Sequence, residues 1–359
     1  MRILLVIRTI CNTIVYKSNL FLLLLLSGCQ QPEQLVERQI YVFGTLVNIS
    51  VWHADPEQAN QSIDDIDQLF KNMHKQWHAW KPGRLQDINQ ALRQGHSVQL
   101  TVDEAAFMRR VIDLSQRSNH YFNPTIGELI NLWGFHTDEY PITSPPPTEK
   151  AIKLLAEQLI TVDNLQLNEL TLTADNRHIW LDFGGIAKGL AVDQAIDIIR
   201  SYGIENAIVN AGGDLRSIGH KGDRAWQIGI QSPQNQGVIA SLQIKQDEAV
   251  FTSGNYQRYK AYNDKRYPHI IDGRSGLPVQ DIISATVIAE DGVKADAAAT
   301  ALIVAGHNNW RQVANNLQLT QILLIDHQQH CMATKAMYRR LQNLTIECEL
   351  VSLRKIINE

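Results

Sequence analysis

Several common signatures are missing from this sequence. Its four cysteines stand at positions 11, 29, 331 and 348, so no CxxC occurs, and no HExxH occurs either; zinc therefore has no support. Lysine and arginine total 33 against 37 acids, a formal charge of −4, which argues against nucleic acid as a partner. No repeat of 20–50 residues and no low-complexity tract is present, which excludes solenoid and disordered architectures. With 44% hydrophobic and 19% charged residues, the chain has the composition of one large or two ordinary globular domains.

Present instead is a basic N-terminus, with Arg2, Arg8 and Lys17 and no acid before residue 29, running into "LFLLLLLSGC". The apolar run is too short to span a bilayer and ends in small residues. Leu26-Ser27-Gly28-Cys29 resembles a bacterial lipoprotein signal, which implies cleavage after residue 28, lipid on Cys29 and a body facing the periplasm. An uncleaved N-terminal anchor or a buried hydrophobic segment is the competing reading; in a Gram-negative host Gln30 leans toward outer-membrane sorting, and the mature charge becomes −7. Polar residues 29–39 read as a tether, and the folded body is expected from 40 to 359. Cys331 and Cys348 remain in that body, where an oxidising compartment permits a disulfide and two buried thiols are the alternative.

Along the body, Ile63, Ile66, Leu69, Phe70 and Met73 recur at helical spacing. Thr101 and Glu104 have capping-box spacing before a second helix. Pro145 to Pro147 mark a sub-boundary near 140–148, with Thr148 placed to cap the helix that follows. Beyond it, short alternating runs such as "NAIVNA", "ISATVIA" and "QILLID" lie between glycine and Asx turns. The texture is α+β.

One turn carries chemistry. "LDFGGIAKGLAVDQAI" (181–196) passes from strand to glycines to a helix start bearing Lys188, where converging amides and the helix dipole favour an anion. It matches neither the dinucleotide fingerprint nor the P-loop, and a plain tight turn is the competing reading. Downstream come "NAGGD", "TSGNYQRY", "HIIDGRSGLP" and "ADAAATALIVAG", preceded by "FGTLVNI", "WKPGRLQDIN" and "YFNPTIGELINLWGF".

In this order the segments resemble the ApbE family, flavin transferases that move FMN from FAD onto a protein hydroxyl. The resemblance covers nearly all of the mature chain and implies an α+β fold with a T-fold-like core and FAD between two lobes. It places Mg²⁺ at the carbonyl of Ala187 with Asp296 and Thr300, whose i, i+4 spacing puts two hard oxygen donors on one helix face. It implies flavin contacts at Phe43, Trp80, Tyr121, Phe122, Asn123, Gly184, Lys188, Leu190, Asp193 and Ile271, with Asp193 holding a ribose or adenine group or standing as a solvated helix acid. His269 is the candidate base. Asp272 is either an orienting group or a turn residue.

The implied partners are FAD, the membrane through a lipid anchor, and an acceptor. The resemblance points to extracytoplasmic flavoprotein subunits of a sodium-pumping NADH:quinone reductase or a related electron-transfer complex. Their acceptor hydroxyl lies in an Asp-x-Ser/Thr-Gly-Ala-Ser/Thr-like segment. Two other readings stand beside the transferase: a hydrolase splitting FAD into FMN and AMP, and a non-catalytic FAD-binding lipoprotein. The chain departs from the family pattern at Phe43 (commonly Met), Asn123 (commonly Asp), Gly273 (usually Pro) and Ala299 (an acid in some relatives).

Overall fold

The computed structural model describes residues 33–234 and 237–353; the signal-like segment and Cys29 lie outside the described residues. The chain opens with the hairpin β1 (Gln34–Val42) and β2 (Thr45–His53), then α1 (Pro56–Gln76), α2 (Arg84–Gln94), β3 (Val98–Gln99) and α3 (Val102–Arg117). Short helices α4 (Gly127–Leu132) and α5 (Glu149–Ala156) lead to the hairpin β4 (Leu165–Asn168) and β5 (Thr171–Ala174). Next come α6 (Ala187–Ser201), β6 (Ala207–Ala211), β7 (Asp214–Ile218), β8 (Gln227–Gln231), β9 (Val238–Gln243) and β10 (Glu248–Gly254). Small hairpins β11 (Tyr259–Tyr262) with β12 (Lys265–Pro268) and β13 (Ile271–Asp272) with β14 (Leu277–Pro278) precede β15 (Ile282–Ala289) and α7 (Gly292–Asn316). The chain closes with β16 (Gln321–Asp326), β17 (Cys331–Thr334), α8 (Lys335–Tyr338), β18 (Leu341–Gln342) and β19 (Cys348–Val351).

Local signals account for the helices. Asp55 caps α1 by accepting from the amides of Glu57 and Gln58, and Ile63, Ile66, Phe70 and Met73 form its buried stripe. Each such side chain contributes about 1.5–3 kcal/mol on burial. Both halves of the Thr101–Glu104 capping box are made at α3, and Thr148 caps α5. The sub-boundary near 140–148 is not a free linker, because Ile142 is buried in a small core and its carbonyl accepts from the Ala261 amide.

The expected tether is shorter than its polarity suggested. Residues 34–39 belong to β1, an edge strand that needs only one apolar face. Val36 and Ile40 pack on the core, while Gln39 and Glu37 bond across to Asn48 and Ser50 on the other face.

The main sheet has nine strands in the order β1-β2-β6-β7-β10-β15-β16-β17-β19. All neighbours are antiparallel except β17 and β19, which run parallel. One face is covered by helices: α7 lies on β10 and β15, and α6 packs between α7, α1 and strands β6 and β7. The opposite face is covered in part by the three-stranded sheet β18-β9-β8, through a second core containing Leu215, Ile230, Leu242, Val250 and Ile325. A third core, Leu129, Trp133, Phe135, Ile142, Ile152 and Ile271, builds a small lobe. Cys331 and Cys348 are joined by a disulfide that clips β19 to β17. Among the described residues no helix is long and apolar enough to cross a membrane. The architecture is α+β.

Candidate active site

The turn that leads into α6 is knitted to itself. The Gly184 amide donates to Asp182 Oδ1 at 2.8 Å, and the amides of Ile186 and Ala187 both donate to the Phe183 carbonyl. Asp182 Oδ2 meets His136 Nε2 at 2.9 Å. Burial works against the Asp182 charge, but His136 and the Gly184 amide outweigh it and hold the carboxyl below its usual range. The expectation of converging open amides is therefore corrected for Gly184, because its donor already has an acceptor in Asp182.

The glycines serve a different purpose: close approach. A Cβ on Gly189 would lie 2.3 Å from the Gly292 carbonyl oxygen, so α6 and α7 meet backbone to backbone. That contact brings the Gly189 amide to 2.9 Å from Asp296 Oδ2. One turn further along α7, Thr300 Oγ1 would lie 3.0 Å from a Cβ on Gly185 and sits 3.1 Å from Ser253 Oγ.

An oxygen-rich centre results. Lys188 pairs with Asp214, whose other oxygen accepts from the Thr252 amide at 3.0 Å. Burial disfavours the lysine charge, yet Asp214 and Asp296 push its pKa up. Asp296 is pushed up to about 7, first by burial and then by Asp214, against the help of Lys188 and the Gly189 amide. A buried carboxyl with one amide partner and a neighbouring acid is short of positive charge. Among the described residues no group of three or more His, Cys, Asp or Glu side chains is arranged to hold a metal. A cation here would draw on at most two such side chains together with hydroxyl and main-chain oxygen, a donor set that suits a hard ion; Asp296, Thr300 and Ala187 at the first position of α6 are donors of that kind.

His269 follows β12 and is half-buried. Its Nδ1 lies 3.0 Å from the Arg258 carbonyl, so Nδ1–H donates there and Nε2 keeps its lone pair. Burial pulls its pKa from 6.5 down to about 4, with Arg258 and Lys188 acting in the same direction. Arg258 also donates to the carbonyls of Phe135 and Thr137, and its guanidinium lies 6.0 Å from the Trp80 ring centre. Trp80 in turn stacks on His136 at 4.8 Å and 17°. Arg258 thus joins the histidine to an aromatic wall.

The other expected flavin contacts divide. Phe43 is the first residue of the two-residue turn between Val42 and Thr45, at φ 56. A phenylalanine in that left-handed region costs about 1–3 kcal/mol, and its ring packs edge-on to Phe70 and His74. Leu190 is half-buried beside the main core. Tyr121 carries the Arg274 guanidinium at 3.6 Å over its ring. Phe122 and Ile271 are buried in separate cores, so neither presents a side-chain face. Asn123 donates to the Ile160 carbonyl and accepts twice from Thr125, which commits its amide to its own loop.

Asp193 is neither a solvated helix acid nor free to take a ribose. Its Oδ1 accepts from the Gly292 amide at 2.8 Å and from Arg216 at 2.7 Å, and Oδ2 accepts from the Val293 amide at 3.0 Å. It anchors the start of α7. Asp272 is a turn residue that holds Arg274. Two departures from the family pattern lie together, since a Cβ on Gly273 would be 3.2 Å from Asn123 Nδ2.

The ApbE family profile matches residues 43–324. The chain belongs to the ApbE family. It is 35% identical over 315 residues to the FAD:protein FMN transferase of Rhodobacter capsulatus, covering 87% of this chain and 59% of that one. It is 30% identical to the FAD:protein FMN transferase of Vibrio cholerae, covering 84% of this chain and 91% of the other. Among solved structures, the ApbE protein of Thermotoga maritima superposes with a TM-score of 0.77 at 28% identity, covering 86% of this chain and 99% of that one. The flavin transferase ApbE from Vibrio cholerae gives 0.74 at 27%, covering 86% and 100%. The ApbE assignment puts weight on residues that sequence reasoning left unassigned. Asp214, Ser253 and Arg258 lie within the motifs "NAGGD" and "TSGNYQRY", and only their partners in space reveal them. The His136–Asp182 pair had no sequence signal.

Proposed function

We propose that this chain transfers FMN from FAD to a serine or threonine hydroxyl of an acceptor protein and releases AMP. The observation that carries it is the histidine whose Nδ1 is fixed on the Arg258 carbonyl, which leaves the lone pair on Nε2, within an ApbE fold. The acceptor oxygen attacks the phosphorus of the FMN half, a new O–P bond forms, and the bond to the bridging oxygen breaks. His269 Nε2 takes the hydroxyl proton, and AMP departs with the bridging oxygen. Lys188 offsets charge on the diphosphate, and Trp80 with Phe43 supplies apolar surface for the flavin between the lobes. Asp296, Thr300 and the Ala187 carbonyl would hold Mg²⁺, which when bound supplies positive charge to phosphoryl oxygens.

Cys29 is the proposed lipid attachment point, placing the body on the periplasmic side of a bacterial membrane. The acceptors we infer are extracytoplasmic flavoprotein subunits of sodium-pumping NADH:quinone reductase or related complexes.

The test follows AMP and free FMN from FAD with Mg²⁺, with and without acceptor. AMP formation that depends on acceptor, with little free FMN, supports the transferase; AMP with equal free FMN in both cases supports the hydrolase. In the His269→Ala variant FAD binding should persist while AMP formation stops.

A further inference from the structure

A hollow lies across the main sheet from Lys188. It is a cavity of about 250 Å³ between the outer face of β2 and β6 and the strand β8. Its floor carries Asn48 and Asn210, which face each other in register, together with Ser50; its other wall is β8 with Gln227 and Gln231. No lining residue is charged, so it is not built for a second phosphate. The oxygens of Asn48 and Asn210 accept from Gln39 and from the Gly213 amide, so the floor offers their N–H donors, while the Gln227 and Gln231 amides of the wall can both give and accept and so match peptide groups.

Two features specify the shape of an occupant. β8 ends the order β18-β9-β8 and has no strand partner on its outer edge among the described residues. Gly213 also lines the cavity, with nothing within 4 Å of a Cβ built on it, so this turn leaves room for another backbone. An open strand edge beside amide side chains is the arrangement by which an extended peptide is bound as an added strand.

The cavity is continuous with the chemistry. Thr252 lines it, and the Thr252 amide holds Asp214, the partner of Lys188. Tyr256 and Gln257 line it too, and the next residue is Arg258, whose carbonyl anchors His269. Gly212 and Gly213, the turn between β6 and β7, line it as well and directly precede Asp214.

We propose that the acceptor protein docks as an extended, hydroxyl-bearing segment in this cavity, pairing with the open edge of β8. This rests on the transferase reading above, and it adds where the acceptor binds.

The probes are a synthetic peptide carrying the Asp-x-Thr-Gly-Ala-Thr-like segment and a copy in which the hydroxyl residues are alanine. Amide hydrogen exchange of the full-length protein with FAD should slow across Gln227–Gln231 on adding either peptide. Ser50→Trp, which fills the floor, should raise the KM for the hydroxyl peptide about tenfold, the scale of a blocked set of hydrogen bonds, while the FAD dissociation constant stays unchanged. FMN transfer to the peptide with no β8 protection, or with an unaltered KM in Ser50→Trp, overturns the docking site and leaves the transferase standing. Slowed exchange without any transfer upholds the docking site and refutes the transferase reading.

Discussion

Replacing Asp193 by alanine separates a structural from a ligand-binding role for that residue. In the fold its two oxygens receive the amides of Gly292 and Val293 and one arm of Arg216. The Asp193 and Arg216 side chains are 12% and 10% exposed, so water replaces little of what is lost. Each stranded amide costs about 1–3 kcal/mol, and removing one partner of a buried ion pair costs about 3–5 kcal/mol. Arg216 retains Asp247, although that carboxylate is 46% exposed and compensates weakly. The expected loss is therefore about 3–5 kcal/mol rather than the sum of these terms. Urea denaturation of the FAD-free protein measures it. Asp193→Asn, which keeps one oxygen acceptor, should lose less. If Asp193→Ala unfolds at the same urea concentration as the parent and loses only FAD affinity, the anchoring role is wrong and a direct contact with the ligand is right.

Other outcomes follow from the same physics. Cys331 and Cys348 are 17 residues apart, so removing their bridge should cost about 3 kcal/mol by loop entropy. Because it clips the sheet edge far from Lys188, transfer at low temperature should be unaffected; a lost rate with intact folding would contradict this. His78 and His269 are both held near 4, mainly by burial. Their neutral forms are favoured in the fold, so the stability they contribute is fully present above pH 6.5 and declines as pH falls toward 4. The acid limb of kcat/KM should accordingly lie near pH 4, whereas a limb at 6.5 or above would contradict the tautomer and burial argument. Cys29→Ser should leave the protein unprocessed or soluble; membrane association with unchanged cleavage, read by fractionation and N-terminal mass, would refute the lipid anchor.

What the sequence revealed was mostly local. The stripe of α1 and the caps of α3 and α5 lie within a few residues of one another, and they form as their spacing implies. The α+β class followed from short alternating runs. β1 was only partly legible, because an edge strand with one solvated face looks polar up to Gln39. Partnerships were the least legible. Asp193 reads as a helix acid until α7 is brought across α6 by Gly189 and Gly292, and Asn123 reads as a site residue until Ile160 arrives from a distant loop. Asp296 and Thr300 were named through the family resemblance, and a helix fixes their spacing. Asp214 and Ser253 join them only through sheet order, which no single segment encodes.

The central claim is most directly tested by the intact mass of a denatured acceptor. Purified protein, FAD, Mg²⁺ and an acceptor bearing the hydroxyl segment should give a protein heavier by one FMN phosphoryl adduct, with AMP released in equal amount and no adduct when the hydroxyl residue is alanine. An unmodified acceptor accompanied by free FMN and AMP would contradict the account.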